Sequence, residues 1–279
     1  MTDFFNIFSY SFMLRALIVG VLISLCSALL GTSLVLKRYS MIGDGLSHVG
    51  FGALALSSVL NLAPLSVALP VVAIAAVFLL RLTSNSKLKG DSAIAVLSTS
   101  ALAIGVIIVS VSGTNTDLSN YMFGSILSLT KADTVTSVIV TLIVAILFIF
   151  FYHRIFTVTF DEDFSVATGT NAPLINTVLA VLTSVTVVVG MRMMGTLLVS
   201  SLIIFPPLSA IKICKTFKGV TITCMVISVT AFLFGLIFSY KFSFPTGATI
   251  VVTNLLIMLI SFLIKKIQDA VKRKKSGSY

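Results

Sequence analysis

The sequence predicts an all-α membrane protein, a polytopic bundle of eight or nine transmembrane helices with a short helix on the cytoplasmic side. Of its 279 residues, 57% are hydrophobic and only 10% are charged, whereas about a quarter of an ordinary soluble domain is charged. The apolar excess must therefore face lipid, where the backbone has to be helical or closed into a barrel. The apolar runs are about 18 to 24 residues long and do not alternate with polar residues, which favours helices crossing a ~30 Å hydrocarbon core.

Nine apolar segments are candidates for these helices. In chain order they are 12–36, 43–60, 64–82, 92–112, 134–153, 174–191, 195–211, 219–240 and 246–265. The segment 117–131 is too short and polar to span, and is predicted to be an interfacial or re-entrant helix. Pro206 and Pro207 should kink or break their helix. Because no segment is long and polar enough for a soluble domain, residues 1–279 are predicted to form one transmembrane domain.

The basic residues predict how the bundle is oriented. When successive gaps between the nine segments are assigned to alternate sides, one side receives 15 of the 19 lysines and arginines and the other receives 4. Since cytoplasmic loops are enriched in Lys and Arg, the C-terminus is predicted to be cytoplasmic and, with nine spans, the N-terminus outside. Eight spans plus a re-entrant piece remain an alternative. The net charge of +10 is explained by contact with the lipid bilayer, so no nucleic-acid partner is expected.

An acidic residue and a histidine open the second apolar segment. Asp44 and His48 lie in Met41-Ile-Gly-Asp-Gly-Leu-Ser-His-Val-Gly-Phe-Gly52, and on a helix their spacing puts both side chains on one face, ~6 Å apart. Such a pair can share a divalent cation, and ionisable groups inside a membrane usually mark an ion pathway. The structural alternative is an Asp–His hydrogen bond that fastens two helices. Counting from the basic Lys37 puts Asp44 near the cytoplasmic end, unless residues 37–43 are drawn into the bundle or the helix is broken there.

Three consecutive acidic residues occur in the loop after the fifth segment, on the side that is otherwise basic. They lie within Phe160-Asp-Glu-Asp-Phe-Ser-Val-Ala-Thr-Gly169. One interpretation is a solvated turn. The other is a short amphipathic helix that docks a cytoplasmic partner, with Phe160, Phe164 and Ala167 on one face.

Several functions are disfavoured by motifs that the sequence lacks. It contains no GxxxxGK[ST] phosphate loop, so the chain is not expected to bind ATP in that way. It contains neither HExxH nor an intramembrane Ser/His/Asp set with a nucleophile motif, which argues against an intramembrane hydrolase. No inverted repeat is recognisable, which weakens the case for an ion-coupled secondary metal transporter. A scaffold without transport is a further alternative.

Several motifs resemble one protein family. Met41-Ile-Gly-Asp-Gly-Leu-Ser-His-Val-Gly50 is similar to the signature of the permease subunits of bacterial ABC importers for manganese, zinc and iron, and the likeness extends over almost the whole chain. The further motifs are Gly90-Asp-Ser-Ala-Ile-Ala-Val-Leu-Ser98, Tyr121-Met-Phe-Gly-Ser-Ile-Leu127, Met194-Gly-Thr-Leu-Leu-Val-Ser-Ser-Leu-Ile-Ile-Phe-Pro-Pro207 and Phe244-Pro-Thr-Gly-Ala-Thr-Ile250.

The resemblance implies an ATP-driven importer in the bacterial cytoplasmic membrane. Two copies of the permease would pair around a central path, with cytoplasmic ATP-binding subunits beneath them and an extracytoplasmic metal-binding protein above. The chain itself would be a transport subunit and not an enzyme, with no permanently bound cofactor and the metal ion only in transit. The family's metal-contacting residues fall on Asp44 and His48. Its ATPase-coupling helix falls on about 160–171, with coupling residues at Phe160, Asp161, Glu162, Asp163, Phe164, Ala167 and Gly169.

The residues beside the signature suggest which metal is carried. Gly45 and Val49-Gly50-Phe51 resemble the residues at these positions in zinc members of the family, whereas manganese members more often have the sequence Asp-Ala-Ile-Ser-His-Ala. The resemblance therefore favours Zn²⁺ over Mn²⁺ and Fe²⁺. The donor set alone does not decide, because a carboxylate and an imidazole suit all three ions.

Overall fold

Eleven α-helices form the part of the chain that the computed structural model describes, namely residues 11–85, 90–112, 124 and 129–276. In chain order they are α1 (Ser11–Leu36), α2 (Ile42–Val59), α3 (Pro64–Asn85), α4 (Gly90–Ser112), α5 (Lys131–Phe150), α6 (Tyr152–Phe160), α7 (Glu162–Ala167), α8 (Ala172–Met194), α9 (Thr196–Ile213), α10 (Phe217–Phe242) and α11 (Thr246–Ser276). Apart from Gly124 and residues 129–131, the predicted interfacial helix at 117–131 lies outside the described residues.

All nine predicted segments form helices, which confirms the all-α membrane fold. Eight of the helices in the described ranges are long and apolar enough to cross a membrane. The ninth, α2, has 18 residues, a length of about 27 Å, but Asp44 and His48 reduce its mean hydropathy. The loop that follows α5 contains the two short helices α6 and α7.

The helices differ in how much of their surface the bundle covers. Among the eight apolar helices, α8, α9 and α1 are the most buried, and α4 and α11 are the least. Helix α1 packs on α5, α9 and α10, helix α2 packs on α3 and α4, and α8 contacts both groups. The helix that carries Asp44 and His48 is therefore enclosed by four others, since it also contacts α8 and α9.

Helix α9 continues through Pro206 and Pro207, so the alternative of a broken helix is wrong. Pro207 has no N–H to donate to the carbonyl of Ile203, four residues earlier. A Cβ on Gly31 of α1 would lie only 2.4 Å from that carbonyl oxygen, so the two backbones approach closely where the hydrogen bond is missing. In membrane helices such packing by a neighbouring helix is what makes an internal proline tolerable.

A tight reversal joins α1 to α2. Arg38 has a φ of +63°, in the left-handed region. The N–H of Tyr39 donates to the carbonyl of Leu34 at 2.8 Å, and the N–H of Arg38 donates to that of Val35 at 3.1 Å. These two bonds form a Schellman motif, which ends α1. Since α2 begins at Ile42, the chain turns back into the bundle within five residues.

Candidate metal transit site and coupling helix

Glycines on α2 let the neighbouring helices come close to the predicted metal residues. A Cβ on Gly45 would lie 2.6 Å from the Cγ2 of Ile94 in α4, and a Cβ on Gly50 would lie 2.3 Å from the Cε of Met191 in α8. Small residues are the usual means by which membrane helices approach each other. The glycines of the signature therefore allow α2 to pack closely between α4 and α8.

Asp44 and His48 share one face of α2, as the sequence predicts. Oδ2 of Asp44 lies 3.6 Å from Nε2 of His48, and the hydroxyl of Ser200 in α9 donates to Oδ1 of Asp44 at 3.3 Å. The carboxylate thus has the imidazole beside it along the helix and accepts a hydrogen bond from the serine across it. Hydrogen bonds from outside the donor set orient metal ligands in this way.

The pair is only partly covered. The side chain of Asp44 is 35% exposed and that of His48 is 25% exposed. Within the described ranges, no third His, Cys, Asp or Glu joins them to make a group that could hold a metal. One carboxylate and one imidazole leave at least two positions of a tetrahedral metal ion unfilled, so any ion bound here needs ligands from water or from another chain.

Both residues lie far from one end of the bundle. We call the end of the bundle where α7 lies the α7 end; α8 begins at this end, at Ala172, and α9 finishes there, at Ile213. Ser200, which bonds to Asp44, lies 13 residues before Ile213, a distance of about 20 Å along the helix.

A second set of contacts gives the same depth. Lys37, just after α1, contacts Asn176 near the start of α8, and Gly50 lies against Met191 near the other end of α8, so α2 and α8 run parallel. Asp44 is six residues before Gly50, which places it level with residue 185 of α8, about 20 Å from the α7 end. Asp44 therefore lies far from the α7 end, although the basic Lys37 is only seven residues before it.

The predicted amphipathic helix is divided into two helices. Helix α6 ends at Phe160, Asp161 has an extended backbone, and α7 begins at Glu162. The carboxylate of Asp161 accepts a hydrogen bond from the N–H of Phe164 at 2.8 Å, which caps α7. The prediction of a single helical face through Phe160, Phe164 and Ala167 is therefore wrong, because the capping residue redirects the chain after Phe160.

The three consecutive acidic residues have different surroundings. Asp161 is used within the chain as the cap. Glu162 contacts the rest of the bundle, because its carboxylate accepts hydrogen bonds from Lys37 at 3.3 Å and from Asn176 at 3.1 Å. Asp163 is exposed. Of the three, Asp163 is therefore the acid that faces away from the bundle.

Helix α7 also exposes apolar side chains. Phe164 and Val166 are each more than half exposed, Ala167 is exposed as well, and Ser165 is the buried residue of the helix. Gly169, with a φ of +81°, follows in the conformation that ends a helix and that glycine adopts without strain. Gly169 thus has a structural role, and the surface that α7 presents consists of Phe164, Val166, Ala167 and Asp163.

Two residues near the site were not anticipated from the sequence. Ser200 falls within the motif that ends at Pro207, but serine is common in membrane helices and nothing local marks it as a neighbour of Asp44. Lys37 reads as an ordinary basic residue at a helix end, yet its side chain is only 8% exposed. In both cases the functional interest comes from a contact with a residue more than 100 positions away.

Known proteins are similar to this chain in sequence over most of its length. The chain matches the ABC 3 transport family over residues 9–265. It is 29% identical to the manganese import system permease protein ScaB of Streptococcus gordonii, over 95% of each chain. It is 28% identical to the high-affinity zinc uptake system membrane protein ZnuB of Buchnera aphidicola subsp. Acyrthosiphon pisum, over 88% of this chain and 94% of that protein.

A solved structure agrees in fold as well as in sequence. The structure of PsaBC from Streptococcus pneumoniae in complex with Fab superposes with a TM-score of 0.87 at 29% identity, covering 98% of this chain and 99% of that one. A family match over nearly the whole chain and a shared fold confirm the resemblance read from the motifs. The chain belongs to the ABC 3 transport family, as a multi-pass membrane permease of the metal-transporting ABC type.

Proposed function

We propose that this permease forms the membrane core of an ATP-driven importer that moves a divalent transition metal from an extracytoplasmic binding protein into the cytoplasm. The observation that carries the proposal is the Asp44–His48 pair, which lies among apolar helices about 20 Å from the α7 end with Oδ2 and Nε2 3.6 Å apart. Ionisable side chains are expensive at such depth and usually lie on an ion path. A passing dication offsets that cost, because it favours the ionised carboxylate and the neutral imidazole.

The site is completed by a second copy of the chain. Asp44 and His48 provide two ligands, and their exposed portions leave room for more. Two copies paired around a central path would give two carboxylates and two imidazoles, a donor set suited to Zn²⁺, Mn²⁺ and Fe²⁺. Because the ion must be released again, the site should hold it loosely.

Helix α7 is the docking element for a cytoplasmic ATP-binding subunit. Its exposed Phe164 and Val166, with Asp163 beside them, form a small apolar surface with one charge. Lysines at the α7 end, including Lys215 between α9 and α10 and Lys218 in the first turn of α10, support a cytoplasmic location for this end and for the C-terminus.

Zinc is the metal we propose first, on the residues that surround the signature. Gly45 and Val49-Gly50-Phe51 follow the zinc pattern of the family, and imidazole is a common ligand of Zn²⁺. Manganese is the second candidate, because relatives such as ScaB of Streptococcus gordonii are named for manganese import. Competition between the two ions for uptake separates the candidates.

The test is metal uptake by the complete importer in proteoliposomes. Asp44→Ala should abolish uptake of radioactive zinc, or of manganese if that is the cargo, while assembly with the partner subunits remains intact. Asp269→Asn, which removes an exposed acid of α11, is the matched control and should transport normally. Normal uptake by Asp44→Ala would exclude the transit-site role. Uptake that continues without the ATP-binding subunits would instead favour an ion-coupled secondary transporter.

A further inference from the structure

A buried lysine connects the metal-bearing helix to α7. Nζ of Lys37 donates hydrogen bonds to the side-chain oxygen of Asn176 in α8 at 2.6 Å and to Oε2 of Glu162 in α7 at 3.3 Å. The amide of Asn176 donates to the other oxygen of Glu162 at 3.1 Å. The three side chains close a triangle between three elements, and we call them the Lys37 triad.

Folding alone does not explain this ammonium group. The side chain of Lys37 is 8% exposed, and its burial lowers the pKa against the opposing effect of Glu162. Apolar side chains of similar volume often replace a buried ion pair with no loss of stability or with a gain. Glu162 is 47% exposed, so water weakens its attraction for the ammonium group, and stability alone is a weak reason for burying this charge.

The segment between Lys37 and Asp44 is short and constrained. The Schellman motif at Arg38 fixes the turn, and the first hydrogen bonds of α2 follow at once, from Ile42 to Tyr39 and from Gly45 to Met41. Asp44 is only seven residues after Lys37. A displacement of Lys37 therefore cannot be absorbed by slack in the chain and must move the start of α2.

Helix α7 has few other anchors, and it has space beside it. Ser165 is its buried residue, and Glu162 supplies its side-chain hydrogen bonds to the α1–α2 link and to α8. Glu162 and Tyr39 both line a cleft of about 650 Å³ that extends to Arg81 of α3. The link and α7 are thus joined to each other, and both border open space on the cleft side.

We propose that the Lys37 triad is the positioning link that carries a movement of α7 to α2 and so to Asp44. The inference rests on the proposed function, in which an ATP-binding subunit moves α7. When α7 shifts, the carboxylate of Glu162 draws Lys37 with it, and the short segment shifts the start of α2. The spacing between Asp44 and its counterpart in the second copy then changes, which opens or closes the transit site.

The test measures metal ions moved per ATP hydrolysed by the complete importer in proteoliposomes. Lys37→Met and Glu162→Gln should each lower this ratio about tenfold, the effect of losing a coupling free energy of ordinary size. Exchanging the charges, Lys37→Glu together with Glu162→Lys, should restore much of the ratio. Lys218→Met, which removes an exposed cation at the same end of the bundle, is the control and should not change it.

The outcomes separate this inference from the proposed function. If the unmodified importer shows no ATP-dependent uptake, the proposed function fails. If it does, an unchanged ratio in both single variants overturns the inference, as does a charge exchange that performs no better than Lys37→Met. Should Lys37→Met fail to assemble, Glu162→Gln decides alone, because Glu162 lies on the surface helix and its side chain is 47% exposed.

Discussion

The close approach of α1 to α9 at Gly31 predicts that two alanine substitutions, both in contact with Ile203, differ in their effect on the free energy of unfolding. In Gly31→Ala, the new Cβ would lie 2.4 Å from the carbonyl oxygen of Ile203, which belongs to the backbone of α9. In Gly43→Ala, the new Cβ would lie 2.8 Å from the Cδ1 of Ile203, the flexible end of a side chain. The first contact can be relieved only by moving a helix, whereas the second is relieved when the side chain of Ile203 rotates and carries Cδ1 away.

The expected magnitudes follow from these distances. Ordinary contact begins at 3.4 Å, so Gly31→Ala requires α1 and α9 to separate by about 1 Å. Overpacking costs about 1–3 kcal/mol, and replacing a helical glycine by alanine returns up to about 1 kcal/mol. A net loss of about 1 kcal/mol is expected for Gly31→Ala. For Gly43→Ala, an off-rotamer cost of about 0.5–1.5 kcal/mol is offset by the same gain in helix propensity, so its stability should hardly change.

The assay is reversible unfolding of the detergent-solubilised permease, with Gly43→Ala as the control for Gly31→Ala. Ser200 lies three residues before Ile203 on α9, so the displaced helix should also lengthen the 3.3 Å bond from Ser200 to Asp44. Gly31→Ala should therefore bind metal more weakly as well. The packing argument is refuted if the two variants are equally stable, or if Gly43→Ala is the less stable of the two.

Two other substitutions test single hydrogen bonds. Ser200→Ala removes the donor that orients Asp44 and should weaken metal binding about tenfold. This is the low end for an outer-shell ligand partner, because the bond is 3.3 Å long. The hydroxyl of Ser201 bonds to its own helix, so Ser201→Ala should bind metal as the unmodified protein does, and equal losses in both variants would show that the contact with Asp44 is irrelevant. Asp161→Ala removes the cap of α7 and should destabilise that helix by about 1 kcal/mol, which would be measured as faster hydrogen exchange of its amides. Asp163→Ala should speed the exchange less. Equal exchange rates in the two variants would contradict the capping role.

Most of the architecture follows from local features of the sequence. The nine helices appear where the apolar runs predict them, because in lipid every backbone group must be bonded within its own segment. Asp44 and His48 meet on one face because a helix places residues i and i+4 side by side, whatever surrounds them. The alternative of a broken helix at Pro206 and Pro207 failed because a neighbouring helix, which the local sequence does not show, supports the chain there.

The sequence by itself thus determined the membrane-spanning helices and the shared face of Asp44 and His48, since each depends on residues a few positions apart. Only the tertiary structure decided how deep Asp44 lies, that Ser200 orients it and that Lys37 connects it to Glu162. These contacts join residues more than 100 positions apart. Membrane helices that are apolar on all sides give no periodic signal for the face that is buried, so the pairing of such faces is settled by packing between helices.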